Sequence, residues 1–423
     1  FGEGEMDGSS WEQALDVAGF RKLLSGSVDL SKSTIYMSQG KYVMSEESGL
    51  GVIVRKNVKA IKGGYSQFSE GTDVSARDID AYVTVISGDV NGNKQADAGD
   101  CGLLLVKKGH IAIEGVTFQY GYVSEADVST TECGSGIYVS GGVGDTSIEL
   151  TDCVIRDCTS AVTTSAKQGG PAVFVLSGQV RLNKVNLLDN KAVGRGGAVR
   201  CSSKTAVVFM NGCLLKGNSH NGSWGNGIQM SEGHICINNT TLIENMGTGA
   251  ALNGGGSILL TNNTIIGNAN DSHGAVRCET GVGGDTKFIN NLLISENPSA
   301  PSFNLNGSNF EAFSKGYNVY QRVTGITMSA SDTAYPNQVN GALNEEGVYV
   351  WDLNQIGSVK GYATRQAVIE VAKSFNPVAS PITNLGEAFV EWIGEDAFGI
   401  DQRGVTRNAN KMQAGAYDAV LAN

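Results

Sequence analysis

GSGIYV (134–139), GPAVFV (170–175), GGAVRC (196–201), GNGIQM (225–230), GAALNG (249–254) and HGAVRC (273–278) are six versions of one short motif. A seventh, APSFNL (300–305), keeps the pattern with its glycines replaced. The equivalent apolar residues are Ile137, Val173, Val199, Ile228, Leu252, Val276 and Phe303, at steps of 36, 26, 29, 24, 24 and 27 residues. Self-similarity at this period predicts a solenoid. Each unit has a second half: TDCVIRDC (151–158), NKVNLLDN (183–190), NGCLLKGN (211–218), NNTTLIEN (238–245), TNNTIIGN (261–268) and NNLLISEN (290–297). A polar cluster precedes a short apolar pair, and Asn190, Asn218, Asn245, Asn268 and Asn297 close five units. Stacked coils bring like corners about 4.8 Å apart. Asn tolerates the left-handed backbone of a tight corner, and stacked amides bond one another in ladders. The units carry short strands, Gly and Asn with no helical period, so the solenoid is all-β.

These motifs resemble the single-stranded right-handed parallel β-helix, the pectin-lyase-like fold of pectate lyases and polygalacturonases. GGAV (196–199) and FINN (288–291) are also similar to polymorphic outer-membrane protein repeats of bacterial adhesins. DGSSW (7–11), the segment 57–78, DQRGVTR (401–407) and GAYD (415–418) resemble first-coil and terminal patterns of secreted bacterial β-helix proteins. The resemblance implies a fold, and a fold hosts many activities.

Composition agrees with one extended core. The chain has 423 residues, 57 Gly, 6 Pro and a net charge of −11. Such a charge disfavours nucleic acid as a partner. No apolar run reaches the length of about 18 residues that a membrane span needs. A start at Phe1 suits an export signal already removed and a secreted or cell-surface location. Cys201 and Cys278, and likewise Cys153 and Cys213, share columns too far apart to bridge. They are expected to be buried free thiols, and without any CxxC a zinc site is not expected. The expected organisation is an N-terminal cap over 1–45, the β-helix over 46–325, and an irregular segment with a C-terminal cap over 326–423. Ser9-Ser10-Trp11-Glu12 predicts a capping box opening a helix to Leu24, and Leu385–Ile393 predicts an amphipathic helix. Residues 321–366 read as irregular. Triplets such as Asn239-Thr240-Thr241 and Asn306-Gly307-Ser308 read as corners rather than glycan acceptors.

Strand alternation points Val199 and Cys201 inward and Arg200 outward. The same outward column holds Tyr138, Phe174, Arg200, Gln229, Asn253, Arg277 and Asn304. Aromatic rings and planar donors suit sugars, and arginines suit uronic acids by bidentate pairing. Asp271 and His273 flank the Arg277 strand and form a second small candidate. The polygalacturonase-type resemblance requires an Asp-Asp doublet that this sequence lacks; its nearest Gly-His-Gly is Ser272-His273-Gly274. No catalytic residue is assigned. Asp89, Asn91, Asn93, Asp97 and Asp100 occupy positions 1, 3, 5, 9 and 12 of DVNGNKQADAGD, which resembles the calcium loops of dockerins and EF-hands. It departs from them at Lys94, where Gly is usual, and at Asp100, where Glu is usual. Ca²⁺ is the one cofactor the sequence suggests. The expected function is polysaccharide binding by a monomeric secreted or surface protein. A polysaccharide lyase or glycoside hydrolase, and an adhesin or structural surface protein, are the alternatives.

Overall fold

A computed structural model of the chain describes residues 7–127, 134–164, 168–222, 224–268, 270–279, 286–306, 314–325, 328–335, 341–344, 349–351 and 359–418. The chain divides into two compact units, residues 1–194 and 195–423. Both are built from short parallel strands stacked coil on coil. In the first unit Ile137 pairs with Val173. In the second, Val199 pairs with Ile228, Ile228 with Leu252, Leu252 with Val276, and Val276 with Phe303. The repeat read from the sequence is therefore the register of the strands.

Alternation puts one set of residues inside. In the first unit Ile111, Ile113, Ile148, Leu150, Val180 and Leu182 are buried in successive coils. In the second unit Ile235, Ile237, Ile258, Leu260 and Phe288 do the same, and Phe288 stacks on Phe303 at 4.7 Å between ring centroids. Each such side chain leaves water for a close-packed interior, worth about 1.5–3 kcal/mol apiece. Among the described residues seven cysteines are buried and free: Cys101, Cys153, Cys158, Cys201, Cys213, Cys236 and Cys278. Burial pushes the Cys153, Cys201 and Cys278 thiols up to about 12, so they act as small apolar groups.

The corners hold the asparagines, with one correction. The left-handed residue is the one before the closing Asn: Asp189, Gly217 and Glu244, before Asn190, Asn218 and Asn245, have φ of 54°, 68° and 55°. The Asn turns its amide inward instead, to the backbone or to the next Asn of the column. Asn190 Nδ2 donates to the Ile155 carbonyl, and Asn218 Nδ2 donates to Asn245 Oδ1 at 2.8 Å. Asn268 Nδ2 reaches the Asn245 carbonyl, and Asn297 Nδ2 reaches the Asp271 carbonyl. A longer ladder runs at the other corner of the second unit. Asn263 Nδ2 donates to Asn291 Oδ1, Asn291 Nδ2 to Asn318 Oδ1, and Asn318 Nδ2 to Asp332 Oδ1, at 3.0–3.1 Å. The first unit fills that corner with Cys153 and Val185.

The N-terminal helix is shorter than the sequence suggests. It runs Val17–Ser25 (α1), and Asp16 caps it by accepting from the Gly19 amide. Glu12 does not close a capping box. Its carboxylate accepts from the Gly71 amide, and Trp11 Nε1 donates to the Asp73 carbonyl, so both residues tie the entry segment to the 66–82 loop.

The C-terminal segment contains an unexpected helix, Arg365–Lys373 (α2), capped by Thr364, and the expected one, Leu385–Ile393 (α3). Both lie against the outward face of the second unit's strands. Val207, Phe209, Cys236, Leu259 and Ile289 share one apolar cluster with Val368, Ile369, Ala372, Phe389 and Val390. Phe209 meets Phe389 at 5.2 Å and Trp392 at 5.8 Å. The DQRGVTR and GAYD motifs then clamp the tail. Arg407, wholly buried, donates to Asn239 Oδ1 and to the Ile400, Gln413 and Gly415 carbonyls.

Candidate functional site

Among the described residues of the first unit, the corresponding outward face carries polar residues and no helix. Strands 30–38, 58–65, 104–114, 146–151 and 178–183 pair side by side. One outward row crosses all five: Tyr36 pairs with Lys62, Lys62 with Glu114, Glu114 with Thr151, and Thr151 with Asn183. All five side chains are exposed or half-exposed. A second row places Ala112, Glu149 and Arg181 side by side, and a third places His110, Ser147 and Gln179.

The row is firmly held. Lys62 Nζ lies 3.1 Å from Glu114 Oε2, and Arg77, from the 66–82 loop, bonds the other oxygen of Glu114. Arg77 is itself fixed by its Nε bond to the Gly63 carbonyl. Partial burial works against charge on Glu114, but the bonds from Lys62 and Arg77 outweigh it and hold the carboxyl below its usual range. At the next corner, burial pushes the Asp152 carboxyl up, with Lys184 pulling against it. Tyr36 stands edge-on to Tyr65 at 5.4 Å, and Tyr65 packs on Trp11 at 5.6 Å. His110 Nδ1 and Ser147 Oγ are 2.8 Å apart.

The column expected to bind sugar is aligned as the sequence implies, but much of it is covered. Arg200, Gln229, Asn253, Arg277 and Asn304 pair in register in the second unit. In the first unit Tyr138 pairs with Phe174, each only 1 % exposed beside Leu50, Ile53 and Leu176. Arg200, Gln229 and Asn253 are also buried, while Arg277 and Asn304 are half-buried. Outward therefore does not mean exposed here. Gln229 Oε1 accepts from the Gly225 amide and from Asn253 Nδ2, and Arg200 Nη2 bonds Ser231 Oγ. These bonds tie Gln229 to its own coil and join Arg200 and Asn253 to the neighbouring one.

Asp271 is buried as well. It accepts from the Asn268 amide, the Asn268 side chain and the Asn226 side chain, and Asn226 Oδ1 lies 2.8 Å from His220 Nε2. Burial pushes its carboxyl up to about 8 against those donors. His273 stands apart from this network, half-buried, with Nδ1 on Ser272 Oγ at 2.7 Å.

The 89–100 loop closes on itself. Asp89 pairs with Lys41 at 3.1 Å, Asp97 accepts from the Asn91 and Asn93 amides, and Asp100 accepts from the Val90 and Asp97 backbone N–H groups. Among the described residues no three His, Cys, Asp or Glu side chains converge as metal ligands. No described helix is long and apolar enough to cross a membrane. In the corner triplets, Asn239 is buried on the tail, and Gly307 and Ser308 lie outside the described residues.

Sequence reasoning missed Lys62, Arg77 and Glu114. The signal was present as polar residues alternating with Ile111 and Ile113, Ile148 and Leu150, and Val180 and Leu182. No curated protein and no solved structure gives a significant match to the chain. A family model described as "Right handed beta helix region" matches residues 81–293, half of the chain. With parallel strands stacked in register through that region, the chain belongs to the right-handed β-helix family.

Proposed function

We propose that this protein binds polysaccharide on the outward strand face of its first unit, at the cell surface or outside the cell. The observation that carries the reading is the five-strand row Tyr36–Lys62–Glu114–Thr151–Asn183. Strand spacing gives that row a length of about 19 Å, comparable to about four sugar units. It offers an aromatic ring at one end and fixed donors and acceptors along its length. Its Tyr36, Lys62 and Glu114 side chains are held by a ring contact and by ion pairs, so these three lose little conformational entropy on binding. The location rests on the resemblance of the terminal motifs to those of secreted proteins. Retention of the full chain by at least one immobilised polysaccharide is expected, weakened about tenfold or more by Tyr36→Ala, the loss of a stacked ring. No retention across a broad panel of polysaccharides would reject the reading.

Hydrolysis is a second reading, favoured by one observation. Glu114 and Asp152 stand on successive coils, and their surroundings shift their carboxyls in opposite directions. That division suits a base and an acid, and neighbouring coils can place two carboxyls within the window of about 5–9.5 Å used by glycosidases. Release of reducing ends, abolished in Glu114→Gln, would favour it over binding alone.

A further inference from the structure

We infer that the ligand of the Tyr36–Asn183 row is an uncharged glycan; the inference rests on the reading of that row as a polysaccharide surface.

The first ground is charge pairing. Glu114 holds both cations nearest it, Lys62 at 3.1 Å and Arg77 on its other oxygen. In the adjacent row Arg181 Nη1 lies 3.7 Å from Glu149 Oε2. Recognition of a uronic acid or sulfate by arginine uses the two-pronged fork of the guanidinium. The Arg77 guanidinium gives Nε to the Gly63 carbonyl and Nη1 to Glu114, and its remaining Nη2 is buried from solvent. An anionic sugar on this row would have to displace a carboxylate from its partner, and would then lie beside that displaced carboxylate. The exchange replaces one ion pair by another and adds a like-charge contact, so it gives little net attraction.

The second ground is independent of the row. The whole chain carries a net charge of −11. A polyanion approaching it meets a repulsive field, which slows association and weakens binding at low ionic strength.

The third ground is what the row does offer. Thr151 and Asn183 present a hydroxyl and an amide, and Ser147 and His110 present a hydroxyl and an imidazole in the third row. These groups both donate and accept, which matches sugar hydroxyls. Tyr36 stands at the end of the row, 39 % exposed and backed by Tyr65 and Trp11. A ring in that setting stacks on the C–H face of a pyranose and needs no charge.

The test is affinity electrophoresis of the full chain in gels holding a neutral β-glucan, xylan or mannan, or polygalacturonate, at about 20 mM and about 300 mM salt. The expected result is retardation by a neutral polymer that changes less than about twofold with salt, since no ion pair to the ligand forms. Tyr36→Ala is expected to weaken it about tenfold, and Asn183→Ala several-fold. Asn183→Ala guards against loss of the Tyr36–Tyr65–Trp11 packing, and a thermal melt checks both variants. Retardation by polygalacturonate alone, falling about tenfold with salt and lost in Lys62→Ala, would overturn the uncharged ligand and leave the polysaccharide reading standing. Retardation by a neutral polymer that neither Tyr36→Ala nor Asn183→Ala weakens would overturn the placement on this row. Retardation by no polymer would overturn both readings.

Discussion

The outward strand faces of the two units start from the same repeat and end differently. Glu149, Arg181 and Phe209 occupy one position of the motif, two residues before the TDC, NKV and NGC corners. Their inward neighbours are alike, Ile148 and Leu150, Val180 and Leu182, Val208 and Met210, all buried. Outside, the first unit keeps a half-exposed ion pair between Glu149 and Arg181, whereas Phe209 lies under Phe389 and Trp392. The inner half of each strand builds the coil, and the outer half decides what may lie on it. An apolar outer face demands a cover, which α2 and α3 supply. A polar one stays open to a ligand.

Substitution at that shared position tests the contrast most strongly. Phe209→Ala removes a fully buried ring from the interface with α3 and is expected to cost about 3–5 kcal/mol in chemical denaturation. Glu149→Ala breaks a half-exposed pair and is expected to cost under about 1 kcal/mol. Similar losses at the two positions would mean that the faces are not energetically distinct.

Two carboxyls, one in each unit, should also respond to pH in opposite senses. In the second unit Asp271 has a folded value of about 8 against an ordinary 3.8. The folded state then binds the proton more tightly, so the stability from Asp271 is full below about pH 4 and is lost as pH rises through about 8. In the first unit Glu114 is shifted below its ordinary 4.5, so its contribution is present above that pH and is lost as pH falls through its folded value. Asp271→Asn is expected to flatten the decline of stability between about pH 5 and 8, and Glu114→Gln to flatten the decline on acidification below about 4.5. Melting temperatures of both variants across that range provide the check. An unchanged alkaline slope in Asp271→Asn would count against a protonated carboxyl there.

Much of the scaffold was legible because stacking repeats its demands. A corner recurs with the same backbone each coil, so Asn218 and Asn245 announce themselves by column, and Ile228, Leu252 and Val276 by their spacing. The cover was less legible. Nothing around Tyr138 says that its outward side chain will be buried, since that depends on Leu50 and Ile53, distant in sequence. The helix α2 was readable from Thr364 followed by Val368, Ile369 and Ala372, but it has no repeat to stand out against. The Tyr36–Asn183 row escaped notice because its first two strands lie outside the regular array, where Lys62 and Glu114 come into register only across a bulge.

The smallest effect is expected at the 89–100 loop. Calcium takes about 6–8 oxygens, and the loop would have to supply most of them. Its candidate oxygens are committed elsewhere. Asn91 Oδ1 accepts from the Asn93 amide, Asn93 Oδ1 accepts from the Gln95 amide, and Asp97 is bonded through both oxygens. Lys94 stands where calcium loops carry glycine and takes the left-handed backbone at φ 62°, while its amide holds Asp89 Oδ1. The turn is thus closed by nitrogen donors in the way the second unit's corners are closed by asparagine amides. Closing the cage on a cation would break at least the Lys41–Asp89 pair and the two amide bonds to Asp97. The melting temperature is therefore expected to stay within about 1 °C on adding millimolar Ca²⁺ or a chelator, since an ion bound well below its free concentration would raise it by several degrees. A rise of that size on calcium, lost in Asp97→Asn, would show that the loop opens to take the ion and that its present bonds are the weaker set.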